Sequence, residues 1–116
     1  MKVFTTLEES RQLIELGADA ASTDWSYQQN DNNTETAIPC WTTEALLNLL
    51  PSPINKIYVL TIEKYEGYEG IEYDIQYSMD EGSGDTLFET SNQSLFEAVY
   101  DTVVWWLKYQ KNKQHS

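Results

Sequence analysis

Cysteine and histidine come first, because a thiol held beside an imidazole is a nucleophile at neutral pH. The chain has one of each, Cys40 and His115. His115 is the residue before last in a polar tail, so a Cys40–His115 dyad is not expected. Cys40, between Pro39 and Trp41, reads as a small buried apolar residue at the start of a helix. The same shortage of ligands removes a Cys/His metal site, and a lone cysteine cannot close an internal disulfide. Carboxylates are the plentiful alternative, with 19 acids against 7 bases and a net charge of −12. Two of them hydrolyse a substrate only where a cleft raises the pKa of one. Glu63, Glu72 and Asp74 fall on one expected sheet face, where like charges equally describe a solvated surface. Asp80, Gly82, Gly84 and Asp85 lack the alternating oxygen ligands and acidic twelfth position of an EF-hand, and read as a hairpin turn. No phosphate-cradling glycine loop, nucleophile elbow or dinucleotide fingerprint is present. No catalytic residue, cofactor or metal is therefore assigned.

The acidity also excludes partners. Binding to nucleic acid through phosphates, or to anionic lipid, is driven by clustered Lys and Arg. From Glu63 to Asp101 there are eleven acids and one base, Lys64. Such a surface suits a protein partner with a basic face, in the sharpest version by imitating the charge of DNA. A second candidate contact is the aromatic flank Trp105 with Tyr109 on the last helix, which packing under the first helix would also explain. The expectation is a non-enzymatic interaction protein with candidate binding residues Glu63, Glu72, Asp74, Trp105 and Tyr109. The alternatives are a small hydrolase using carboxylates or Cys40, and a homo-oligomer whose self-association is its function. With no signal-peptide pattern at the N-terminus and no run of roughly 20 apolar residues, the expected compartment is the cytoplasm.

These side chains need elements to carry them. Thr6 and Glu9 make a capping box for a first helix, with Leu7, Leu13, Ile14 and Leu16 in its apolar half and Gly17 as its left-handed stop. Trp25 and Tyr27 alternate as in a short strand, the polar run Gln28 to Thr36 reads as a loop, and Ala37 and Ile38 suit the return of a hairpin. Thr42 caps a short buried helix, with Trp41 and Leu46 placed as a hydrophobic staple and Pro51 and Pro53 beyond its end. The period then changes to two. Ile57 to Tyr65 and Ile71 to Tyr77 read as antiparallel strands, with Ile71, Tyr73, Ile75 and Tyr77 on one face, and a third strand follows near Thr86 to Thr90. The last helix opens at Ser94 with Glu97, or at Asn92, and repeats Phe96, Val99, Tyr100, Val103, Trp106 and Leu107 along one stripe. The fold class is α+β: a three- to five-stranded antiparallel β-sheet with helices packed on it and a long C-terminal helix. One domain is expected over residues 1–111, with residues 112–116 a disordered tail.

Three blocks, in order along the chain, carry a resemblance. They are Gln12-Leu13-Ile14-Glu15-Leu16-Gly17, then Ile38-Pro39-Cys40-Trp41-Thr42 with Ala45-Leu46-Leu47 and Leu49-Leu50-Pro51, and finally Ala98-Val99-Tyr100-Asp101 with Val103-Val104-Trp105-Trp106-Leu107. Together they resemble small uncharacterised proteins encoded by phages and prophages of gut Bacteroidetes. The resemblance implies an accessory protein of a mobile element in a bacterial cytoplasm. It brings no activity, ligand or functional residue with it.

Overall fold

The computed structural model describes residues 3–19, 22–23, 25–31, 34–54, 57–79 and 85–114. The expected turn residues Asp80 to Gly84, and His115, lie outside the described residues. The fold is α+β, in the order α1 (Leu7–Glu15), β1 (Trp25–Asp31), β2 (Thr34–Cys40), α2 (Thr43–Asn48), β3 (Tyr58–Gly67), β4 (Gly70–Met79), β5 (Thr86–Asn92) and α3 (Leu95–Gln114). Two compact units result, one of residues up to Leu49 together with those from Val103, the other Leu50–Thr102.

In the first unit α1 is closed at both ends by local chemistry. The Thr6 hydroxyl accepts from the Glu9 N–H at 3.1 Å, and the Glu9 carboxylate accepts from the Thr6 N–H at 2.9 Å. Gly17 takes φ +104°, a conformation that costs a glycine little. It lets the Ala18 N–H reach the Leu13 carbonyl at 2.9 Å and the Gly17 N–H reach that of Ile14 at 3.0 Å, the two bonds of a Schellman stop. The apolar half differs from the wheel, since Leu13 is buried while Ile14 is exposed and Ser10 is buried. Ser10 is admitted because its hydroxyl lies 2.7 Å from the Thr5 hydroxyl, which removes the penalty of an unpaired buried group.

The run Gln28 to Thr36, read above as a loop, belongs mostly to strands. The β1–β2 ladder continues from Trp25↔Cys40 to Asp31↔Thr34. Ladder bonds join backbone groups and need no apolar side chain, so polar composition hid the strands. Beyond them Thr42 caps α2, its hydroxyl accepting from the Ala45 N–H at 3.2 Å. Trp41, Ala45 and Leu46 are buried, as are Val103 and Leu107 of α3.

In the second unit β3, β4 and β5 form an antiparallel sheet in that order. The β3–β4 register runs unbroken from Tyr58↔Met79 to Gly67↔Gly70. Gly70, at φ +119°, follows the two-residue turn Tyr68-Glu69. Ile75 and Tyr77 are fully buried, and the Tyr77 hydroxyl donates to the Pro51 carbonyl at 2.7 Å. Ile71, expected beside them, is exposed and Tyr73 only half-buried. β5 ends at Asn92 opposite Tyr73, so Ile71 lies in the two-stranded end of the hairpin. Ser94 and Asn92 both serve the start of α3. The Glu97 N–H donates to the Ser94 hydroxyl at 3.3 Å, and the Ser94 N–H to the Asn92 side chain at 2.9 Å. Phe96, Val99 and Tyr100 are buried, and so is Thr102, whose hydroxyl donates to the Ala98 carbonyl at 2.8 Å. Where the polar composition of residues 112–116 suggests a tail, the helix continues through Gln114.

Candidate protein-binding face

Residues directly opposed in neighbouring strands project from the same side of a sheet. Glu63 of β3 stands opposite Asp74 of β4, and Tyr65 opposite Glu72. Asp74 in turn stands opposite Ser91 of β5, and Gln76 opposite Glu89. The register thus gathers Glu63, Glu72, Asp74 and Glu89 on the sheet face away from Ile75 and Tyr77. Glu63 and Glu89 are exposed, while Glu72 and Asp74 are half-buried. Lys64, the one base of this acidic stretch, belongs to the opposite side, its ammonium 5.9 Å from the centre of the Tyr73 ring.

Hydrogen bonds hold two of the carboxylates in place. The Tyr65 hydroxyl donates to Glu72 Oε2 at 2.7 Å, and the Ser91 hydroxyl to Asp74 Oδ1 at 3.1 Å. The bond to Glu72 is the main reason the Tyr65 phenol is held above the usual tyrosine range. Gly67 shapes the same corner, because a Cβ there would stand 3.0 Å from Glu72 Oε2. The three carboxylates named from sequence are therefore brought together. Glu89, Tyr65 and Ser91 were missed. The alternation of β5 hints at Glu89, but its position depends on a register shift at Tyr77/Ser78 that no local pattern announces.

Trp105 and Tyr109 occupy a different place. Their rings stack at 5.2 Å between centroids, Trp106 lies 5.9 Å from Tyr109, and all three side chains are half-buried. They form an aromatic ladder along one helix and belong to the first unit, the acidic strands to the second.

Cys40 is 3% exposed, and burial pushes its thiol up, away from the thiolate that nucleophilic attack requires. A concavity of about 250 Å³ at the end of α1 is lined by Glu15, Leu16, Gly17, Leu107, Gln110 and Lys111. It contains one carboxylate and not Cys40, and the Lys111 ammonium there donates to the Glu15 carbonyl at 3.4 Å. Among the described residues no group of three His, Cys, Asp or Glu side chains could hold a metal ion. Nor is any helix among them long and apolar enough to cross a membrane. No protein-family model, curated protein or solved structure matches the chain.

Proposed function

We propose that this chain is a non-enzymatic interaction protein that binds a partner with a basic surface through the outer face of β3, β4 and β5. The observation that carries the reading is the direct opposition of Glu63 and Asp74. Like charges across a strand pair oppose folding; Glu63 is exposed, and Asp74 is half-buried with a surface hydrogen bond from Ser91. A face that costs the fold stability while presenting Glu72 and Glu89 beside this pair is suited to a cationic partner, whose charge would turn repulsion into attraction. Burial of Cys40 and the single carboxylate of the α1 concavity weigh against the hydrolase alternative. With the resemblance to phage and prophage proteins, the reading becomes an accessory factor of a mobile element acting in the bacterial cytoplasm.

The test is capture of partners from the native host, followed by affinity measurement with the purified partner. The triple reversal E63K/E72K/D74K is expected to abolish binding while leaving the thermal melt in place, and wild-type affinity is expected to fall as salt rises. Affinity unchanged by the reversals or by moderate salt overturns the proposal.

A further inference from the structure

The free edge of β3 offers a second surface. Among the described residues the order β3-β4-β5 leaves one side of β3 outside the sheet. Gly67↔Gly70 closes a two-residue turn, so the odd-numbered residues of β3 direct their N–H and C=O groups to β4. The even-numbered residues direct theirs outward. Two contacts agree with this: the Tyr58 backbone exchanges bonds with Ile54 at 2.8 and 3.0 Å, and the Leu60 N–H donates to the Ser52 hydroxyl at 3.3 Å. The segment Ser52–Ile54 therefore covers the edge as far as Leu60. Next outward come Ile62, Lys64 and Glu66, within a run of five exposed residues, Ile62 to Glu66. Ile62 and Tyr65 are each 41% exposed, and Tyr68 in the turn is fully exposed. Single exposed apolar residues are ordinary, but a cluster of them along an unpaired strand edge is a pairing surface.

What pairs there follows from the order of charges. A two-fold axis at Glu63 would set Glu63 against its own copy, and an axis at Lys64 would set lysine against lysine. With the axis at Tyr65 both pairs of charged residues on the open edge are favourable. Lys64 faces Glu66 of the second copy and Glu66 faces its Lys64, both as hydrogen-bonded pairs. The two Tyr65 rings meet at the closer, non-hydrogen-bonded position between them. Ile62 comes beside the Tyr68-Glu69 turn of the second copy, and the window stops where Ser52 already occupies Leu60.

We propose that two copies of this chain join antiparallel through the β3 edge, with the axis at Tyr65, to make one continuous sheet from both three-stranded sheets. The pairing itself is independent of the acidic-face reading. Only its consequence rests on that reading: edge-to-edge pairing puts both acidic faces on the same side, as one wider surface for the basic partner.

Sedimentation and light scattering of the full chain over a range of concentrations test the pairing. A reversible dimer is expected for the wild type. K64E and E66K each set two like-charged pairs across the axis and should weaken the dimer about tenfold or more. The double variant K64E/E66K exchanges the charges and should restore it. Circular dichroism and thermal melts of all four proteins separate loss of pairing from loss of fold. A wild type monomeric at every concentration overturns the proposal, as does a dimer indifferent to the single reversals or unrestored by the double one. If K64E weakens capture of a basic partner by a chain that stays monomeric, the edge serves that partner and the dimer is refuted. The triple reversal E63K/E72K/D74K, read by partner affinity, reports on the acidic face separately.

Discussion

Around Trp41 and on the outer face of the sheet, polar side chains are joined by hydrogen bonds of similar length. At Trp41 they meet mostly out of water, with Ser22 half-buried. The Trp41 N–H donates to the Thr5 hydroxyl at 3.0 Å, the Thr5 hydroxyl pairs with Ser10, and the indole N–H donates to the Ser22 hydroxyl at 3.0 Å. Thr5, Ser10 and Trp41 are wholly buried. On the sheet, Tyr65–Glu72 and Asp74–Ser91 are paired at the surface. The difference lies in what water would do if a partner were removed. At the buried cluster a deleted hydroxyl strands its neighbours without solvent, so those bonds specify the fold. At the sheet face water takes the vacant place, so the same kind of bond contributes little stability and mainly orients carboxylates. The first cluster holds the fold together and the second orients carboxylates at the surface.

Substitutions can break that contrast or sharpen it. Trp41→Ala empties the largest fully buried site among the described residues and should cost about 3–5 kcal/mol in urea unfolding. A loss below about 1 kcal/mol would show that the cluster is not the anchor described.

Tyr77 supplies a pH test of the buried side of the sheet. Desolvation pushes its phenol from 10.0 up to about 12. The raised value belongs to the folded state, so the unfolded chain loses this proton first. The stabilisation is fully present below pH 10 and is lost as pH rises through 12. It should amount to about 2–3 kcal/mol at most. Tyr77→Phe should flatten that segment of the stability–pH curve, and an unchanged curve would refute the assignment.

Thr5→Val keeps the shape but strands the Ser10 hydroxyl and the Trp41 N–H, at an expected cost of about 1–2 kcal/mol. Ser91→Ala on the sheet face should stay within about 0.5 kcal/mol. Equal losses from these two would erase the distinction between the clusters. Smallest, and opposite in sign, Glu63→Gln should raise stability by a few tenths of a kcal/mol, roughly the cost of facing Asp74. A clear fall in melting temperature would remove the observation on which the acidic-face reading stands.

Much of the molecule was determined by the sequence alone, wherever the cause lies within a turn or two of chain. Thr6 with Glu9, Gly17, Thr42 and Ser94 act over three or four residues, and each works as its type and spacing require. The long stripe of α3 and the alternation of β4 are equally local, because side-chain direction follows from backbone period. Only the tertiary structure decided which of those side chains meet. The wheel placed Ile14 inside, but pairing of Ser10 with Thr5 made the polar residue the buried one. Alternation put Ile71 on the inner face, but it lies exposed in the two-stranded end of the hairpin. Glu63, Glu72 and Asp74 were legible as acids of one face, whereas the opposition of Glu63 to Asp74, the arrival of Glu89 and the open edge at Lys64 and Glu66 required a register. Register depends on turn geometry and on which face is buried across strands, and no short window of sequence contains it.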